Sequence, residues 1–136
     1  MKTWSLVLLM LALAVIATPA FAAQSAQTSA NVPKYDPATE SVFKGEVQEV
    51  SERVCAVSHG LGSHVMLKLE DGSTIEVHLA TVKFVKLYDL AFAKGDKLEV
   101  TGSKVKFEGV DTIFAREVKR GNDVFLFRDK EGKPVW

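Results

Sequence analysis

His64 to Leu79 reads HVMLKLEDGSTIEVHL, and this stretch decides the fold. Val65, Leu67 and Leu69 alternate with His64, Met66 and Lys68. After Asp71-Gly72, Ile75, Val77 and Leu79 alternate with Thr74, Glu76 and His78. Successive side chains of a strand point to opposite faces, so a period of two predicts two half-buried strands. Asp-Gly between them predicts a hairpin. The two apolar sets share a face if 65 pairs with 79, 67 with 77 and 69 with 75. That register centres the turn on Gly72 and predicts a three-residue loop with glycine in the left-handed region. The outward row is then His64, Met66, Lys68, Thr74, Glu76 and His78, with Met66 opposite His78 and His64 diagonal to it.

The same period extends in both directions. Phe43, Gly45 and Val47 mark a strand before the hairpin, with a bend expected at Gly45. Thr81 to Phe92 (TVKFVKLYDLAF) changes to a spacing of three to four, which predicts a short helix over 81–89 with Thr81 as N-cap. Leu98, Val100, Val105 and Phe107 form a fourth strand interrupted by Gly102. Ile113 to Val118 forms a fifth, and Val124 to Phe127 a short last one. This order predicts a mainly β chain: a small OB-fold-like barrel of five to six strands with one short helix between the third and fourth. The domain should span residues 40–136. An SH3-like or other small β-barrel is the competing architecture.

The first residues carry a different signal. Lys2 precedes an apolar run, Leu6 to Ile16, and Ala20-Phe21-Ala22 then sets small residues before a cut between Ala22 and Ala23. This is the pattern of a secretory signal peptide over residues 1–22, which implies a periplasmic or secreted protein. The run is too short to span a bilayer as a helix, so no transmembrane segment is expected after cleavage. Residues 23–39 are rich in Ala, Ser, Gln and Thr without periodicity and read as a flexible linker. The whole chain has 136 residues, with 17 Lys+Arg against 17 Asp+Glu. That length suits one domain, and the balanced charge argues against a strongly basic nucleic-acid binder. A single cysteine, Cys55, excludes an internal disulfide and a cysteine-based zinc site.

Several segments together resemble a known family. They are Tyr35-Asp36-Pro37, Gly45-Glu46-Val47, the Leu67–Leu79 hairpin, Gly95-Asp96-Lys97-Leu98-Glu99-Val100-Thr101-Gly102-Ser103, Ala115-Arg116-Glu117-Val118, and the ending Arg128-Asp129 with Gly132-Lys133-Pro134-Val135-Trp136. The likeness is to small exported bacterial proteins with the magnetosome MamS/MamX-type domain, and it covers nearly all of the chain after the leader. It implies an OB-like barrel in the periplasm or at a membrane surface, and it supplies no catalytic residues. MamX-type members also carry C-x-x-C-H haem-attachment motifs. A chain whose one cysteine is Cys55 cannot hold covalent c-type haem in that way.

Candidate chemistry lies on the outward row. His64, Met66 and His78 are candidate ligands for copper or another transition metal, because imidazole and thioether donors suit soft and borderline ions. In form this resembles small periplasmic OB-fold copper chaperones. Lys68 and Glu76 share the row and join the candidate ligand-binding face. His59, Gly60 and Gly62 lie in Ser58–Ser63, read as a glycine-rich binding loop without the order of a nucleotide-phosphate loop. Cys55, in the apolar run Val54-Cys55-Ala56-Val57, is expected to be buried. Lys104, Lys106, Arg116, Lys119 and Arg120, near Phe107 and Phe114, suggest single-strand binding, but acidic residues interleave with them. No catalytic motif is present, so no enzyme is expected. The sequence therefore favours a non-enzymatic periplasmic binding or scaffold module, whose partner is a protein or a periplasmic or cell-surface ligand. A copper-type metal protein and an oligonucleotide-binding OB-fold are the alternatives.

Overall fold

The computed structural model describes residues 32–136. The predicted signal peptide, its cut at Ala22/Ala23 and the first part of the predicted linker lie outside these residues. The described elements are β1 (Glu40–Cys55), β2 (Gly60–Leu69), β3 (Thr74–Thr81), α1 (Val82–Leu87), β4 (Lys97–Phe107), β5 (Val110–Arg120) and β6 (Asp123–Leu126). No helix among the described residues is long and apolar enough to cross a membrane.

The sheet runs β3-β2-β1-β4-β5-β6, and β3 also pairs with β5. That last pairing is parallel, Val77 against Ile113, and it closes five strands into a ring. With α1 between β3 and β4, this is the expected mainly β architecture, a closed ring of strands with one short helix. Closure covers the second edge of β3 over Glu76–His78, and β6 pairs with the far edge of β5 over Glu117–Arg120. Inside the ring, Val47, Leu67, Val77, Val100, Ile113 and Phe127 are fully buried. The helix begins where expected: the Thr81 hydroxyl accepts a hydrogen bond from the Phe84 N–H.

The β2–β3 hairpin keeps the expected faces but not the expected register. Leu67 pairs with Ile75, Val65 with Val77, and His64 with His78. The Leu69 N–H donates to the Ser73 carbonyl, so the three-residue loop is Glu70-Asp71-Gly72, with Gly72 at its end at φ 84°. Left-handed geometry suits the last loop position of such a turn, and placing glycine there moves the cross-strand partners of His64 to Lys68 by two residues. Parity is unchanged, so the apolar set stays inside. The partners change: Met66 faces Glu76, and the two histidines face each other.

Two further boundaries differ from the sequence reading. Gly60–Ser63, expected in a loop, belongs to β2, and the β1–β2 connection is the short Ala56–His59. Strand β1 is longer than its apolar alternation indicates, because a bulge between Val47 and Glu49 shifts its pairing with β2. Before the bulge Val47 pairs with core-facing Leu67; beyond it Ser51 pairs with His64, Arg53 with Gly62 and Cys55 with Gly60. Cross-strand partners share a face. The inserted residue therefore brings Arg53 and Cys55 onto the outer face with His64.

The end of the predicted linker packs on the ring. Pro37–Thr39 form a single 3-10 turn capped by Asp36. Tyr35 donates to Glu40, whose carboxylate accepts two bonds from Arg116 of β5, at 2.8 and 2.9 Å.

A candidate metal centre beneath the β1–β2 turn

The outward row of the hairpin is not open to solvent at its histidine end. His64 is 1% and His78 0% exposed. The Ala56–His59 turn brings buried Ser58 to the same place, and the β3–β5 pairing sets Phe114 beside His78, ring centroids 5.8 Å apart. Trp136, from the C-terminal segment, lies 5.7 Å from the His78 ring. Hairpin periodicity places the histidines on the outward row but carries no information about what covers the outer face.

The register sets His64 and His78 edge to face, centroids 4.9 Å apart. The Cys55 thiol donates to Ser58 Oγ at 3.3 Å, and the same hydroxyl is 2.8 Å from His78 Nε2. Cys55, His64 and His78, all buried, each offer one donor atom, and these atoms lie within 4.8 Å of one another. Among the described residues, no fourth His, Cys, Asp or Glu joins them at that spacing.

Gly62 makes room for this cluster. A Cβ at that position would lie 2.7 Å from Cys55 Sγ, 2.7 Å from Ser58 Oγ and 3.0 Å from His64 Nε2. A thiol, a hydroxyl and an imidazole nitrogen thus crowd into the space a side chain would need, and only glycine lets them pack this closely.

The polar accounting is incomplete, which is unusual for buried groups. Both nitrogens of His64 and Nδ1 of His78 lack an aligned hydrogen-bond partner. Glu76 Oε1 is 2.8 Å from His64 Nδ1 but off the hydrogen-bond direction; it is held by Arg53, which in turn pairs with Glu108. Burial is the main cause that lowers the pKa of both histidines. His64 is lowered further by the Arg53 charge, and His78, with His64 and Arg128 nearby, falls to about 3. Both rings are therefore neutral at pH 7, each with a nitrogen lone pair. A carboxylate behind one imidazole nitrogen is a common way to orient the other toward a metal.

The other sequence candidates distribute as follows. Met66 stands opposite Glu76 and Glu49 and is half-buried. Lys68 is exposed and lines a separate cleft with Lys44, Glu46 and Lys97. His59, exposed at φ 51°, lines a depression with Tyr35, Val57 and Arg128. Gly60 has open space around it. Cys55 is buried as expected, but its place beside two histidines was not foreseen. The signal for it is faint: one has to locate the β1 bulge to know which way Cys55 faces. The five basic residues singled out on β4 and β5 each meet a carboxylate: Lys104 and Lys106 meet Asp111, Arg116 meets Glu40, Lys119 meets Glu99 and Arg120 meets Asp96.

Fold and cluster define a mainly β domain, a closed ring of strands with one short helix, that carries a buried nitrogen–sulfur donor cluster on its outer face. The sequence model of the MamS/MamX magnetosome protein family matches residues 39–125, more than half of the chain. The chain belongs to that family. A search of the curated proteins found no match.

Proposed function

We propose that this chain is an exported, non-catalytic binding module of the MamS/MamX family, and that what it binds is a transition-metal ion. One observation carries the reading. Three donors of metal-ligand type, Cys55, His64 and His78, converge within 4.8 Å in a buried cluster that packs against Gly62. Thiolate and imidazole together suit soft and borderline ions. The leader at Leu6–Ile16, with its Ala20-Phe21-Ala22 site, supports a periplasmic or secreted location. The Ser58–His78 contact has the form of a nucleophile and base, but His78 Nδ1 lacks an orienting partner and both residues are buried, which supports a non-enzymatic role.

The test is metal uptake by the exported full-length protein, measured by equilibrium dialysis against zinc and copper. One ion per chain is expected for the wild type, with loss in His64→Ala/His78→Ala. Met66→Leu should keep full uptake, which separates this donor set from one containing the thioether. Negligible uptake by the wild type refutes the proposal.

A scaffold role toward a protein partner has one observation of its own. Val54 and Leu61 are cross-strand neighbours on the β1–β2 hairpin, 74% and 51% exposed. Crosslinking in the native envelope should depend on them: Val54→Asp/Leu61→Asp should abolish any partner adduct.

A further inference from the structure

We infer that the metal held at this site is a single copper ion that cycles between Cu(II) and Cu(I), which makes the protein a one-electron carrier. This rests on the metal-binding proposal and narrows it to one element and one chemistry. The donor set is one thiol and two imidazoles, on Cys55, His64 and His78. Zinc sites fill four positions, with water taking the fourth where the protein offers three. Here no fourth His, Cys, Asp or Glu joins the cluster at that spacing among the described residues, and buried Ser58 with the Phe114 and Trp136 rings packs around it. Copper accepts three donors, and a trigonal thiolate–diimidazole set is the arrangement associated with copper electron transfer.

The surroundings fit that role. The three donors sit on β1, β2 and β3, neighbouring strands of one closed ring, so the frame is the same for both oxidation states. His78 also touches the half-exposed Trp136 ring, which gives a ligand direct aromatic contact with the surface. On loading, the Cys55 thiol would give its proton to solvent, and its thiolate sulfur would replace a water of the incoming copper ion. In turnover, Cu(II) takes one electron from a one-electron donor to become Cu(I), then passes it to a one-electron acceptor. No bond to the protein is made or broken in that cycle.

The test loads the exported full-length protein with one equivalent of Cu(II) and records its visible absorption and electron paramagnetic resonance. The expected result is an intense thiolate-to-copper charge-transfer band. Ascorbate, as the one-electron donor, should bleach the band, and ferricyanide, as the acceptor, should restore it over repeated cycles. Cys55→Ser, close in size to the native residue, should lose the band and bind copper more than about tenfold less tightly. Copper bound without the band overturns the electron-carrier inference and leaves the metal-binding proposal standing. So does copper released with oxidation of Cys55 to an intermolecular disulfide, or zinc outcompeting copper. No uptake of either metal overturns both.

Discussion

Gly62→Ala tests the fold and the site together. The new methyl would sit 2.7 Å from Cys55 Sγ and Ser58 Oγ and 3.0 Å from His64 Nε2. Ordinary carbon–sulfur and carbon–oxygen contacts are longer by roughly half an ångström to one ångström, so the pocket must spread or the side chains must turn away. Gly62 does not adopt a positive φ, so alanine suffers no backbone strain there. On propensity alone, replacing a strand glycine is worth about 0.5–1 kcal/mol of stability. Overpacking a buried site costs about 1–3 kcal/mol. The net expectation is a loss of about 0.5–2 kcal/mol, or a Tm lower by roughly 2–15 °C for a domain of this size. Gly60→Ala is the internal control. It lies in the same strand with nothing within 4 Å of the added carbon, so it should be neutral or slightly stabilising. The assays are thermal unfolding of the metal-free proteins, and metal titration of Gly62→Ala and wild type. The methyl displaces Cys55 and His64 from their present positions, so metal affinity should fall by at least about tenfold. If Gly62→Ala melts with Gly60→Ala and binds metal like the wild type, the close packing described at Gly62 does not exist.

Three other changes probe the frame around the site. The Glu40 carboxyl is held below its ordinary value of 4.5 chiefly by the Arg116 hydrogen bonds. The folded state therefore binds fewer protons than the unfolded state, and this contribution is complete above about pH 4.5 and drains as pH falls through the lowered folded value. Glu40→Gln should cost about 1–3 kcal/mol at pH 7 and flatten the acid limb of urea-unfolding stability; an unchanged limb would remove Glu40 as its cause. Leu67→Ala, in the fully buried core opposite Val47, should cost about 2–5 kcal/mol by chemical denaturation, and a cost under about 1 kcal/mol would contradict its packing. Gly72→Ala should cost about 1 kcal/mol although the space around it is empty, because the residue sits at φ 84°; a stabilising result would mean the turn has another shape.

Much of the frame was legible because it rests on local chemistry. The alternation through Val65–Leu69 and Ile75–Leu79 placed two strands and their buried face, and Thr81 announced the helix that it caps. The register was less accessible. Gly72 is close to the centre of its loop in sequence, yet the left-handed position is the last of three, and that detail decides whether His78 faces Met66 or His64. The second half of β1 was hidden for a different reason. Residues 48–55 show no apolar alternation that continues Phe43 and Val47, because the bulge after Val47 inverts the parity and the even-numbered Val50 and Val54 remain exposed. Cys55 could not be assigned to the face of His64 without knowing of that inversion. Burial of the cluster was beyond local reading altogether. It depends on Phe114 arriving through the β3–β5 closure and on Trp136 folding back, both distant in sequence.

The closing of the ring also bears on the order in which the molecule is assembled. Cys55, His64 and His78 all belong to the meander β1-β2-β3, whose strands are joined by short turns, whereas β3 meets β5 only after α1 and β4 have intervened. Pairings between near neighbours in sequence close with less loss of chain entropy than distant ones. For a chain emerging N-terminus first, the three donors are therefore all present, and joined by the cheaper pairings, before the strand that completes the ring exists. An ion captured at that stage would act as a nucleus for the meander, and its removal would slow folding even where it changed the final stability little.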